Sequence, residues 1–253
     1  MRGFLTLLLS VIVLLGCNNP QSKEQKKLEA DSTKTADLLV DNLITKDSVL
    51  VLSYKDKIDK LIYPIINIKY NALAKRVTPE TILGQSQDEI RKNYAKCGCG
   101  FIALDYKKTF NNDKIVCFAF TSTFLGPYPT ENLEFKTLTI SDGNDYSLTD
   151  QYTLEGQNYI LSEYKSNLMD RLEEGKKDNN KELAYADAYE QLKKNINEIS
   201  IESINQNYII QDDTMSLKTE GVLPHAILAF EIDRIVKLKL TDLKKFNKQN
   251  ASI

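Results

Sequence analysis

The sequence has no tryptophan, a single histidine, and only ten glycines, six prolines and four cysteines in 253 residues. One imidazole, His225, is all that a Ser-His-Asp or Cys-His device could draw on, and no serine sits in a Gly-x-Ser-x-Gly setting. Without tryptophan, a sugar-cleaving carboxylate pair would have to stack its substrate on tyrosines, of which there are thirteen. Scarce glycine and proline exclude collagen-like and proline-rich chains. Charge of one sign is also lacking. Lys and Arg number 33 against 35 Asp and Glu, a net charge of −2, so the basic excess of a nucleic-acid binder is missing. What is present is ordinary globular material. Apolar residues make up 42%, against about 45–50% in globular domains, enough for a core.

The first seventeen residues read MRGFLTLLLSVIVLLGC. Arg2 is a positive n-region, and Phe4 to Leu15 form an apolar stretch too short to span a bilayer as a helix of about 20 residues. The run ends Leu14-Leu15-Gly16-Cys17 and resembles the bacterial lipobox. That resemblance implies removal of residues 1–16 and acylation of Cys17, including palmitate-type chains. Two or more chains anchor a protein stably at a membrane without a transmembrane helix. The mature chain would have 237 residues, with 32 basic against 35 acidic, a net charge of −3. The expected location is the cell envelope outside the plasma membrane. Asn18 rather than Asp follows Cys17, so in a two-membrane bacterium the outer membrane, facing the periplasm or beyond, is the expected location. Residues 17–46 read as a polar tether with a weak helix near Leu38–Leu43. Residues 47–253 read as one domain, divisible into two intimate lobes, 47–152 and 153–253.

Within the domain the apolar period changes several times. Residues 48–64 carry one or two strands, with Val49, Val51 and Tyr54 at β-favouring positions. Residues 67–76 are helix-like. Thr78-Pro79-Glu80 is a helix start, the helix extending to about Tyr94. Phe101–Tyr106 and Ile115–Phe124 form a hairpin around Asn111-Asn112-Asp113. Two prolines at spacing two make Gly126-Pro127-Tyr128-Pro129-Thr130 a loop. A strand follows at Leu133–Ile140, then a turn at Ser141-Asp142-Gly143-Asn144. Gln157–Glu174 is a helix, with Gly175 as its stop, and Leu183–Ile196 another. Strand character returns at 207–211, 215–219, 226–231 and 235–240. The order strands, helices, strands gives an α+β fold with an antiparallel sheet and packed helices.

Two stretches carry a resemblance. Ile140-Ser-Asp-Gly-Asn-Asp-Tyr-Ser-Leu-Thr-Asp-Gln-Tyr152 is a strand end, a glycine turn, then Leu148, Asp150 and an aromatic. Tyr208-Ile-Ile-Gln-Asp-Asp-Thr-Met-Ser-Leu217 is followed by Leu223-Pro224-His225-Ala226 and by a strand ending Leu240-Thr241-Asp242-Leu243. Together, with Ile62-Tyr63-Pro64 as an opening strand, they resemble the extracytoplasmic domain of the lysozyme-sensing anti-sigma factors. The same module is the non-catalytic part of some peptidoglycan deacetylases. The resemblance covers about 55–246. It implies a non-catalytic module that binds or senses peptidoglycan or a lysozyme-type protein. The chain departs from the pattern at Leu125-Gly126-Pro127-Tyr128-Pro129, where members often carry a Gly-Gly-Ala-His-type loop.

Three cysteines remain beside Cys17. An oxidising envelope favours one disulfide, Cys99–Cys117 or alternatively Cys97–Cys117, closing a loop of about 20 residues. Buried free thiols are the competing reading, and a Cys3His zinc site with His225 suffers from a Cys-x-Cys gap shorter than usual. No metal, cofactor or catalytic residue is assigned. Asp142, Asp145 and Asp150 do not have the spacing of a calcium loop and read as turn and cap residues. Phe124 and Tyr128, at the proline-rich loop, are the candidate binding contacts, or Tyr128 packs over the sheet edge. The expected function is therefore a non-catalytic envelope lipoprotein. An envelope hydrolase with a carboxylate pair, or a structural lipoprotein, is the alternative.

Overall fold

The computed structural model of the chain describes residues 42–179, 183–249 and 251–253. The leader, Cys17 and the tether up to residue 41 lie outside the described residues. Regular structure begins earlier than residue 47. Leu43 is buried, and strand β1 runs Ile44–Tyr54, so the last residues assigned to a tether belong to the sheet. β1 turns through Lys55-Asp56, with Lys55 at φ 53°, into β2 (Lys57–Ile66). The crossover that follows carries three helices, α1 (Asn71–Arg76), α2 (Pro79–Leu83) and α3 (Gln87–Cys97). The single helix expected from Thr78 to Tyr94 is two. Gly84 takes φ 66° and closes α2, and Ser86 opens α3 by a capping box with Glu89.

The crossover lets the next strand, β3 (Gly100–Asn111), pair parallel to β2, with Lys60 opposite Ala103 and Leu61 opposite Leu104. β4 (Ile115–Leu125) and β5 (Pro129–Thr139) complete a mixed five-stranded sheet in the order β1-β2-β3-β4-β5. Every other pairing in it is antiparallel. Pro129 is tolerated in β5 because β5 is the edge strand, where a missing amide donor breaks no inner ladder.

β4 is apolar on both faces, and the reason is visible in its neighbours. Val116, Phe118 and Phe120 enter a core with Leu50 and Leu52 of β1, Leu61 of β2, Leu73 of α1, and Ile90 and Tyr94 of α3. Ile115 and Cys117 enter a second core on the opposite face. That second core is supplied by the rest of the chain: α4 (Leu148–Gln151), α5 (Leu154–Asn179), α6 (Leu183–Glu198) and α7 (Ile201–Ile204). These precede a second, antiparallel sheet of β6 (Tyr208–Gln211), β7 (Thr214–Lys218) and β8 (Ile235–Lys239), closed by α8 (Leu240–Leu243). The fold is thus α+β with two sheets, one mixed and one antiparallel. Ile160, Tyr164, Leu168 and Leu172 recur at helical spacing on α5, and all four are fully buried. That stripe carries α5 through Gly175, whose cost in a helix interior of about 1 kcal/mol relative to alanine is small beside the buried face.

Ala226–Glu231, expected as a strand, is instead part of a 3-10 segment, His225–Phe230. The loop folds on itself. Its backbone bonds are local, Ile227 N–H to Pro224 O and Glu231 N–H to Leu228 O (both 3.0 Å), while Glu231 Oε2 accepts the backbone N–H groups of Val222 (2.8 Å) and Leu223 (2.9 Å). Among the described residues no helix is long and apolar enough to cross a membrane.

Candidate functional site

The turn after β5 sets the first wall of a cleft. Gly143 has φ 71°, and a Cβ there would lie 2.8 Å from the Ala72 carbonyl oxygen, so the turn docks directly on α1. The docking brings Asp145 to Arg76 of α1, with Nη2 to Oδ2 at 2.8 Å. Asp142 accepts hydrogen bonds from Thr139 Oγ1 and from the Asn144 backbone N–H. Those bonds, Thr139's foremost, hold its carboxyl below the usual range. Asp150 forms a capping box with Ser147. These acids are thus a turn residue, an ion-pair partner and a cap.

The edge of β5 is the floor of that cleft. Tyr146 N–H donates to Thr137 O (2.8 Å), and Thr139 N–H donates to Asn144 O (2.8 Å), so odd-numbered residues turn their backbone groups away from β4. Leu133 O, of the same parity, accepts from Lys218 Nζ of β7. Two cavities of about 330 and 320 Å³ lie along this edge and share Asn132 and Glu220 in their linings. The first is bounded by Arg76, Glu134, Lys136 and Asp145, with Gln206 and Asn207 opposite. The second is bounded by Glu131, Lys218, Glu231, Asp233 and Arg234. Across both linings six acids stand against four cations, and Asp233 is also paired with Arg171, just outside the lining, at 3.4 Å. Lys136 is itself paired with Glu134 at 2.8 Å.

The far wall is built around Arg234. Arg234 is buried, with its Nε on Glu231 Oε1 (2.8 Å) and Nη1 on Asn195 Oδ1 of α6 (2.8 Å). Its backbone carbonyl accepts from Tyr164 Oη of α5 (2.7 Å). One arginine therefore ties the loop beside the cleft to both long helices.

The sequence-level contacts lie at the tip of the same hairpin. Phe124 is 41% exposed and stacks edge-on against Phe101, with centroids 5.2 Å apart. Tyr128 is 65% exposed. It sits three residues before Glu131, about 10 Å along an extended strand. Sequence reasoning did not find Arg76, Asp145, Lys136, Lys218 or Arg234 as cleft residues. The sequence offers no distinct signal for Arg234, which follows Asp233 between Ile232 and Ile235.

The expected Cys99–Cys117 disulfide, and its Cys97–Cys117 alternative, do not form. Cys97 is bonded to Cys99, and Cys117 is a buried free thiol. The reason is the alternation of β4. Cys117 faces the second core and meets Thr137 Oγ1 at 3.3 Å, whereas the Cys97–Cys99 pair sits at the end of α3, a helix of the first core. The disulfide also consumes two of the four groups of the zinc alternative. Among the described residues no cluster of three or more His, Cys, Asp or Glu could hold a metal ion.

A carboxylate pair acting as acid and base needs one carboxyl held protonated near neutral pH. Among the described residues, the carboxyls with displaced acidity are Asp59, Glu80, Glu89, Asp142 and Glu202, and all five are displaced downward. None of the five borders the cleft.

No protein-family model matches the chain, and no curated protein does. Crystal structures similar to it include two from DUF3298 family proteins. One is a DUF3298 family protein from Pseudomonas aeruginosa PAO1, 12% identical, with a TM-score of 0.47, covering 81% of this chain and 95% of that one. The other is a DUF3298 family member from Bacteroides fragilis NCTC 9343, 10% identical, with a TM-score of 0.42, covering 83% of this chain and 96% of that one.

Proposed function

We propose that the chain is a non-catalytic envelope lipoprotein, anchored through acylated Cys17, whose domain binds a wall-acting protein of the lysozyme type. The observation that carries the reading is the acid-leaning cleft along β5, fixed by Arg234 and opening beside the exposed aromatic tip of the β4–β5 hairpin. A cationic partner would meet Glu131, Glu220 and Asp233 at the rim and Tyr128 at the tip. Such rim charges steer encounter and set specificity, while the aromatic contributes buried area. The resemblance of residues 140–152 and 208–226 to the lysozyme-sensing module supports the same partner. The lipid and the tether would set the reach of the domain from the membrane.

The test is a calorimetric titration of the full acylated chain in detergent with a c-type lysozyme, at low and physiological salt. Saturable binding that survives physiological salt, and that is weakened by Tyr128→Ala and by Glu131→Lys, is expected. Absence of binding at both salts removes the lysozyme-type partner. A parallel titration with soluble peptidoglycan fragments then asks whether the wall polymer occupies the cleft instead.

A further inference from the structure

Cys97-Gly98-Cys99 joins two cysteines only two positions apart, with Cα atoms 5.2 Å apart, at the C-terminal end of α3. The pair does not hold that helix end. Gly98, at φ 65°, donates its N–H to Tyr94 O at 2.7 Å and closes the helix through the backbone alone. A Cβ on Gly98 would lie 2.5 Å from the Tyr54 ring, so packing against β1 requires glycine there whatever the sulfurs do. Cys97 is exposed and Cys99 half-buried, which makes Sγ of Cys97 the sulfur an incoming thiolate reaches. That sulfur lies 3.4 Å from the Asn93 carbonyl oxygen, one helical turn back, so a thiol formed there has an acceptor already in place. The remaining described cysteine, Cys117, is buried in the other core and cannot scramble the pair.

The geometry points to a solvent-facing thiol–disulfide exchange site at Cys97–Cys99, whose co-reactant is a thiol from a small molecule or from a dithiol protein. In the first step the thiolate bonds to Sγ of Cys97. The bond to Cys99 breaks, and its electron pair leaves on Sγ of Cys99, which takes a proton from water. In the second step another thiolate attacks the mixed disulfide and releases Cys97 as a thiol. Two external thiols are oxidised to one disulfide, and the protein disulfide is reduced to two thiols. The reverse sequence restores it. The domain keeps its fold in both states.

The test equilibrates the full-length chain in glutathione redox buffers, blocks free thiols with a maleimide mass tag, and reads each cysteine by peptide mass spectrometry. Circular dichroism follows the fold in parallel. Cys97 and Cys99 are expected to gain tags together and lose them together as the buffer changes, with the spectrum unchanged and Cys117 untagged. Cys99→Ser should trap glutathione on Cys97. A second arm replaces glutathione by a thioredoxin-type dithiol protein at equal thiol concentration. Reduction in that arm alone assigns the thiol to a protein source, and reduction in both assigns it to small thiols as well. The proposal is overturned if the pair stays oxidised until the chain unfolds. It is equally overturned if both residues are already tagged in air-oxidised native protein.

Discussion

Arg234 has left water almost completely, at 4% side-chain exposure, and its charge is met by Glu231 at 2.8 Å. Removing one partner of such a pair leaves the other as an uncompensated buried charge, which costs about 3–5 kcal/mol. Glu231→Ala should lose about that much stability in guanidinium denaturation, and it also frees the amides of Val222 and Leu223. A loss below about 1 kcal/mol would show that the pair does not fix the cleft wall. Cys117 gives a second residue-scale prediction. Burial pushes its thiol up to about 11, against weaker hydrogen bonding from Thr137. The native protein should therefore leave Cys117 unalkylated by iodoacetamide at pH 8, while the unfolded chain reacts. Asp59 supplies a pH dependence. Partial burial raises its carboxyl, but hydrogen bonds from Lys57 and from Tyr94 Oη (2.7 Å), with the Lys57 charge, outweigh burial and hold it low. A native value below the unfolded one near 3.9 gives stability that is complete above about pH 4 and drains as pH falls through the native value. The stability gap between the wild-type chain and Asp59→Asn should close on acidification below pH 4, as read from Tm against pH. At this scale the turn role of Asp142 and the cap role of Asp150 were legible, because Asp beside Gly or three residues after Ser has local partners. The cysteine pairing was not, because it depends on which face of β4 carries Cys117.

At the scale of elements, α3 owes its start to Ser86. The serine hydroxyl accepts from the Glu89 backbone N–H at 3.2 Å, and Glu89 Oε2 reaches back to the Ser86 N–H at 3.0 Å. Ser86→Ala should cost about 1 kcal/mol, within a range of about 0.5–2, in thermal or chemical unfolding. An unchanged midpoint would mean that packing of Ile90 and Tyr94 alone sets this helix. The signal for the break between α2 and α3, Gly84 followed by Ser-x-x-Glu, was present in the sequence but was overridden by a continuous apolar stripe. At Gly175 the reverse holds, and a local stop signal yields to the buried stripe of α5. The 3-10 segment at His225–Phe230 could not be read at all. It is made by Glu231 reaching back nine residues to Val222, an interaction with no local pattern. The β3–β4 hairpin was legible because two apolar, β-rich runs flank the Asn-Asn-Asp turn, whereas Pro129 and Thr130, which read as loop, open the edge strand β5.

At the scale of the whole molecule, the α+β class followed from the order of periods, whereas the division into two sheets did not. Both sheets read as apolar alternation, and only the parallel joint between β2 and β3 and the double-sided burial of β4 separate two cores. The cleft is a product of that division, since it lies between the edge of one sheet and β7 of the other. None of its wall residues could be assembled from spacing, because Arg76, Lys136, Lys218 and Arg234 come from α1, β5, β7 and the loop before β8. The measurement that tests the central claim most directly is backbone amide exchange on the full chain with and without saturating c-type lysozyme. Binding as proposed predicts added protection over the hairpin tip and β5, from Phe124 to Lys136, and over Lys218 to Gly221. Protection confined to the exposed outer face of β1 and β2, around Val49, Val51 and Ile58, or no protection anywhere, would contradict it.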